Sequence, residues 1–313
     1  MSQEKKEFKT SIGGQALIEG IYMRGPKKES VVVRTKEGLE VKVSDIKVNK
    51  ERAAWLGWPF IRGMVNFGGS MVSGVKALMY SADFFMEDEE EESSKLEKWI
   101  EKKFGSEKLE QFIIYFSVIL GMAFSVGLFI LLPTLLAGLF TNIVTNYMAR
   151  NLLEGAVRIL LFLGYMVLVS KMKDMKRVFA YHGAEHKSIR CYEMRLPLTV
   201  ENVKVQTRLH PRCGTSFLFV VMVVSILVFS VVSWSNPWIR MALRLALLPV
   251  VVGISYEINR FVGRHDNWFT RAVSFPGMWF QNFTTNEPDD DMMEVAITAL
   301  EAVIPPEEGA DKW

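Results

Sequence analysis

Two stretches without a single charged residue, 111–149 and 213–239, constrain this chain more than any other feature of its sequence. An apolar run of roughly 20 residues spans the bilayer's hydrocarbon core of about 30 Å, whereas buried helices of soluble proteins meet charges sooner. Half of the residues are hydrophobic and the mean hydropathy is positive, which is high for a soluble enzyme. The chain therefore reads as a mainly α-helical polytopic membrane protein. Four transmembrane helices fit the pattern, at 112–132, 152–170, 215–234 and 241–256, with a half-helix or bend over 133–145 where Pro133 interrupts the first run. Arg158 and Arg244 stand near one end of their spans, from where they are expected to snorkel to the interface.

Charge sets the orientation. The segment 171–212 holds ten Lys or Arg, and the connector 235–238 holds none. By the positive-inside rule the basic segment is cytoplasmic, and with four spans both termini are too, which makes this a multi-pass protein of the cell membrane. Residues 1–9 are charged and lead into no apolar stretch with a cleavage site, so no secretory signal is read. A net charge of +2 does not call for nucleic acid, and no zinc-finger, Walker or Rossmann spacing occurs. The bilayer is the expected partner, with membrane proteins as further partners or substrates.

Four regions follow. Residues 1–50 form a cytoplasmic β-hairpin region, with strands at 31–33 and 39–43 joined by Lys36, Glu37 and Gly38, and a third strand near 46–48. Residues 51–110 comprise an interfacial amphipathic or re-entrant segment, 55–86, and an acidic solvated linker at 87–92. Residues 111–264 are the transmembrane domain with its motif loop 171–212. Residues 265–313 are a cytoplasmic tail: its acids at 289–291 suit a helix N-terminus, and Met293, Ala296, Ala299, Leu300 and Val303 form an apolar stripe, followed by a disordered end at 305–313.

The residues that bear chemistry collect in the basic segment. His182, Glu185 and His186 form HxxEH, which on a helix sets two imidazoles on one face with a carboxylate beside them. Neutral imidazoles in that arrangement bind zinc, while the carboxylate takes a proton from water; the same order is the inverzincin signature. Glu257, at the cytoplasmic end of the fourth span, and His210 with Cys213, just before the third, are the candidates to complete the ligand set. With His210 and Cys213 together the zinc would have four protein ligands and be structural; with Glu257 a position stays open for catalysis. Cys213 with His210 as its base is a second chemistry. Cys191 reads as a packing thiol, His265 as a solvated or phosphate-contacting residue, and Arg190, Arg195, Arg208 and Arg212 as possible holders of an anionic headgroup.

GGQALIEGIYMRGP (13–26), YHGAEHK (181–187), HPRCGTSF (210–217) and PGMWFQNFTTNEPDDD with EVAITAL resemble the bacterial YqhQ family, the domain of unknown function 1385 class. The resemblance runs over nearly the whole chain. It implies a multi-pass membrane protein, of a kind sometimes labelled a predicted metal-dependent enzyme. It also singles out Gly14, Gln15, Glu19 and Arg24 beside His182, Glu185, His186, His210, Arg212 and Cys213. Two functional readings stand. The first is a zinc-dependent hydrolase at the cytoplasmic membrane interface, with Glu185 as general base, acting on a membrane protein or a lipid headgroup. The other is a non-enzymatic membrane adaptor or regulator whose loop is folded by a structural metal or by hydrogen bonds. Transport ranks last, because no ionisable residue stands mid-span in an evident pair.

Overall fold

The computed structural model describes residues 8–46, 54–86, 106–140, 143–230 and 237–312; the acidic run at 87–92 and most of the third expected strand lie outside them. The elements are four strands, β1 Gly13–Leu17, β2 Gly20–Arg24, β3 Lys28–Thr35 and β4 Gly38–Asp45, followed by helices. These are α1 Ile61–Met86, α2 Ser106–Val126, α3 Leu132–Leu139, α4 Tyr147–Val169, α5 Lys173–Glu193, α6 Val200–Lys204, α7 Gly214–Ser230, α8 Pro237–Arg264, α9 Trp268–Thr284 and α10 Asp290–Glu301. The protein is thus mainly helical with a small N-terminal antiparallel sheet. It divides into two compact units, one of Met1–Phe84, Met166–Val228 and Ala246–Trp313, the other of Phe85–Tyr165 and Phe229–Leu245.

In the first unit the strands run as a meander in the order β1-β2-β3-β4. The hairpin expected around Lys36, Glu37 and Gly38 is β3–β4, paired from Thr35 with Gly38 onward. A second hairpin, β1–β2, was not foreseen. Its turn, Ile18–Glu19, lacks the Asn or Gly that such turns favour. Glu19 adopts a left-handed φ of 48°, and long-range bonds hold it there: Arg177 Nη2 donates to its carboxylate at 2.6 Å and the Tyr181 hydroxyl at 3.1 Å.

Alternation along β2 turns Ile21 and Met23 to one face, where α5 and α10 cover them. Met293, Ala296, Ala299 and Leu300 of α10 are wholly buried in that core. The tail helix thus falls on the expected stripe, with Asp289 capping it by accepting from the Met292 N–H at 2.8 Å. The end of the chain is ordered as well, against expectation. Lys312 bridges Thr10, and the Asp311 carboxylate is buried against the Thr10 hydroxyl, so the chain's two ends are hydrogen-bonded together.

Among the described residues, three helices are long and apolar enough to cross a membrane, at Phe116–Leu139, Met148–Val169 and Met241–Arg264. That marks the protein as membrane-associated. Of the fourth expected crossing, 215–234, residues 215–230 belong to the shorter apolar helix α7, which does not count among those three, and residues 231–234 lie outside the described residues. Pro133 does not break the first crossing, because a π turn at Gly127–Leu131 leads directly into α3 with the proline in its first turn. In the segment 55–86, α1 is one continuous helix of 26 residues.

The second unit corrects the reading of the arginines. Arg158 and Arg244 do not snorkel; both are buried, on the single carboxylate of Glu154, which is buried too. Glu154 accepts from Arg244 Nη2 at 2.9 Å, from Arg158 Nη2 at 3.3 Å and from the Thr134 hydroxyl at 2.9 Å. Pro133 has no N–H to offer the Phe129 carbonyl four residues earlier, and Arg158 Nε donates to that oxygen at 3.0 Å. Both guanidiniums also lie over the Phe229 ring, at 5.4 and 5.5 Å.

Candidate metal centre

The basic segment 171–212 is not a loop: α5 covers half of it and α6 follows. On α5 His182 and His186 stand one turn apart, ring centroids 4.3 Å from each other. Each ring is fixed by a backbone carbonyl. His182 Nδ1 lies 2.7 Å from the Thr284 oxygen, His186 Nδ1 2.6 Å from the Arg208 oxygen. A carbonyl can only accept, so both Nδ1 atoms carry the hydrogen and both Nε2 atoms present a lone pair in the neutral ring. Metal-binding histidines are commonly oriented by this outer bond.

The two carbonyls come from distant parts of the chain, and the packing explains why they arrive. Gly183 makes room for the chain leaving α9: a Cβ there would run into the Asn286 carbonyl and touch Pro288 Cδ at 3.4 Å. Asn286 N–H donates to the Phe179 carbonyl at 2.7 Å, which pins that crossing and sets Thr284 against His182. Gln281 of α9 grips the backbone of His210 from both sides, accepting from its N–H at 2.8 Å and donating to its carbonyl at 2.7 Å. Cys213, three residues on, is thereby brought to the histidines. Its sulfur lies 3.2 Å from His182 Nε2, and one ligand atom from each of His182, His186 and Cys213 falls within 4.8 Å of the others.

The sulfur also receives the Thr215 N–H at 3.4 Å and the Thr215 hydroxyl at 3.3 Å, at the N-terminus of α7. Burial pushes the Cys213 thiol up, but the imidazoles of His182 and His186 outweigh it and hold the thiol well below its usual range. Burial likewise depresses His182, and the facing sulfur reverses that and holds the ring at about 9. Glu185 goes the other way: burial raises its carboxyl above the ordinary range despite the two neighbouring imidazoles. It accepts a bond from the Gly14 N–H, where a Cβ in place of the glycine hydrogen would sit 3.1 Å from Glu185 Oε1. Glu185 Oε2 and His186 Nε2 are buried without a protein partner among the described residues.

The donor set fits a borderline-soft cation such as zinc: two imidazole nitrogens, of which His186 Nε2 is orphaned, and a thiolate, with the orphaned Glu185 Oε2 beside them. The ligand atoms of a tetrahedral site, with Zn–N about 2.0 Å and Zn–S about 2.3 Å, lie within roughly 4 Å of one another, so small adjustments would close this one. The other two ligand candidates are engaged elsewhere. His210 Nε2 is 3.2 Å from Glu193 Oε2, and Arg212 also pairs with that carboxylate. Glu257 takes Arg62 Nε at 2.7 Å and the Phe60 N–H at 3.4 Å. The base nearest Cys213 is accordingly His182 and not His210. Among the arginines considered for a headgroup, Arg208 donates to Thr285, Arg195 pairs with Glu308 and Arg212 with Glu193. Cys191 is a wholly buried packing thiol, as expected, and His265 stacks on Phe261 at 4.2 Å.

A cavity of about 460 Å³ opens beside the cluster. Glu185, His186 and Cys213 line one side; Gln15, Tyr22 and Arg24, on the face of the sheet turned away from the α5–α10 core, line another. α1 contributes Asn66, which donates to the Tyr256 hydroxyl at 2.9 Å. The cavity explains the glycine-rich stretch 13–26, whose role the sequence left open: it supplies the strand backbone and side chains of this wall.

Sheet, helices and cluster together define the class: a membrane-associated, mainly helical protein with a His–His–Cys cluster and a buried carboxylate at the wall of a polar cavity. The chain belongs to the family described as protein of unknown function DUF1385, which matches residues 58–306. It is similar to the protein of Bacillus subtilis (strain 168) described as uncharacterized protein YqhQ, with 34% identity over 306 residues, 96% of this chain and 94% of the relative. No solved structure matches the chain.

Proposed function

We propose that this protein is a zinc-dependent hydrolase at the cytoplasmic face of the cell membrane, with His182, His186 and Cys213 as ligands and Glu185 as general base. The observation that carries the reading is the convergence of three ligand atoms within 4.8 Å beside a carboxylate oxygen that has no protein partner. Three protein ligands leave a coordination position toward substrate, where four would close the site. Bound there, zinc would supply Lewis acidity and lower the proton affinity of an attacking water. The chain's own residues do the rest. The carbonyls of Thr284 and Arg208 hold both Nδ1–H groups and aim both Nε2 atoms, and metal binding would displace the proton that His182 Nε2 shares with the Cys213 sulfur. Glu185, with its carboxyl raised by burial, takes the proton from water and hands it to the leaving group. The substrate, a membrane-protein segment or a lipid headgroup, enters through the cavity walled by Arg24 and Gln15. Four crossings with both termini in the cytoplasm complete the reading, α7 serving as the short third crossing.

Purified full-length protein is expected to hold about one zinc per chain, lost in the His182→Ala/His186→Ala variant. Stoichiometric zinc retained by that variant would dismiss these ligands. Glu185→Gln should keep the metal and fail to complement a deletion strain; full complementation would turn the reading toward the adaptor.

A second reading has its own observation, the 3.2 Å approach of His182 Nε2 to the Cys213 sulfur with two donors from Thr215. On it, a Cys213 thiolate paired with His182 is itself the nucleophile. Rapid alkylation of Cys213 by iodoacetamide at about pH 6, in protein that takes up no zinc, would favour it.

A further inference from the structure

The cavity contains a cationic nitrogen without a partner among the described residues. Arg24, at the end of β2, lines it, and its Nη1 is buried with no hydrogen-bond partner among the described residues. A guanidinium is charged at every pH of interest, so the unmade bond at Nη1 is an open place for an acceptor. No carboxylate among the described residues bonds to that nitrogen. Glu29, directly across the ladder from Arg24, accepts the Tyr22 hydroxyl at 2.8 Å. Glu193 serves Arg212, His210 and the Thr10 N–H, and Glu185 accepts from Gly14. Arg212, the other arginine of the cavity, is thus neutralised by Glu193. Arg24 Nη1 is left open to the cavity.

From this we infer that Arg24 binds a carboxylate of the substrate, so that the site acts on compounds carrying a carboxylate a few bonds from the reacting carbonyl. The inference rests on the metal reading above for the identity of the reacting end. A single planar guanidinium matches a carboxylate in charge and in its two-oxygen fork. A phosphate dianion would ask for a second cation, and Arg212 is already committed. The neutral donors around Arg24, from Gln15, Asn66 and Tyr256, suit the amide or hydroxyl groups between the two ends.

The test uses full-length protein in detergent, reconstituted with zinc, and the monohydroxamates of malonic to adipic acid, each beside its methyl ester, with affinities from calorimetry. The hydroxamate reports the metal and the free acid reports Arg24. At least one acid should bind about tenfold or more tighter than its ester. Arg24→Gln should abolish that preference while leaving the ester's affinity unchanged, which also shows that the variant is folded, and Arg24→Lys should restore part of it. Equal binding of every acid and its ester, or a preference that survives Arg24→Gln, overturns the inference. A phosphonate-bearing hydroxamate that binds more tightly than every carboxylate overturns the choice of anion. Succinate alone, titrated into metal-free protein, separates the two readings. If succinate binds in an Arg24-dependent way while no hydroxamate gains affinity from zinc, the metal reading fails and Arg24 keeps its role.

Discussion

Gly183 sits between His182 and His186, and its missing side chain is what lets the chain after α9 reach His182. Gly183→Ala should push Asn286 away and loosen the Thr284 carbonyl from Nδ1, and loss of such an orienting bond lowers metal affinity by about 10–100-fold. Chelator competition measures it, and Gly68→Ala, at a position with open space around it, is the control that should change nothing. Glu193 and His210 set the pH response of the same region. Burial raises the Glu193 carboxyl, but His210 and Arg212 outweigh it and hold it below its ordinary 4.5; burial lowers His210 from its ordinary 6.5. In both cases the unfolded chain takes up its proton at higher pH than the folded protein does. The stability they contribute is therefore present at neutral pH, starts to fall below about pH 6.5 through His210, and falls further below about pH 4.5 through Glu193. Melting temperature in detergent should drop on acidification, and His210→Asn should flatten the portion between about pH 7 and 5.5; an unchanged slope would contradict this account. Among these residues, the histidine pair and Glu185 were legible from spacing alone, since i and i+4 share a helix face. That Cys213, and not His210 or Glu257, stands beside them was not: Gln281 brings it there, and Glu193 and Arg62 engage the other two, each from a different element of the chain.

At the level of elements, the triad Glu154–Arg158–Arg244 joins two apolar helices, and Arg158 Nε caps the carbonyl that Pro133 leaves in the turn before α3. Its members looked like interfacial arginines because position along a span is visible in sequence and rotation about it is not. Removing one partner from a buried ion pair costs about 3–5 kcal/mol, since the other charges stay behind. Glu154→Leu should therefore destabilise the second unit strongly, while a Glu154→Leu/Arg244→Leu/Arg158→Leu variant should recover much of the loss. Unfolding in mixed detergent micelles measures both; a single variant as stable as the parent would mean that the triad bears no energetic weight. The β1–β2 hairpin teaches a related lesson. Its turn has no Asn or Gly, so nothing local announces it, and the bonds from Arg177 and Tyr181 that hold Glu19 left-handed come from a helix more than a hundred residues later.

For the whole chain, the packing inside the first unit limits how many times the backbone crosses the membrane. The sheet, α5, α9 and α10 share contacts, with β1 on α5, Thr284 on His182 and α10 in the same core, so they lie on one side of the bilayer. On the four-span reading, the apolar helices Phe116–Leu139 and Met148–Val169 return the chain to the side it left, and Met241–Arg264 takes α7 as its counterpart. By the positive-inside rule, the basic charges of 171–212 favour the cytoplasm for the shared side. A reporter active only outside the membrane should thus be active when fused at residue 236 and silent when fused at 195 or after 312. Silence at 236 would mean that neither α7 nor α8 crosses, and activity after 312 would mean that the contact between His182 and Thr284, and with it the assembled cluster, does not exist in the membrane.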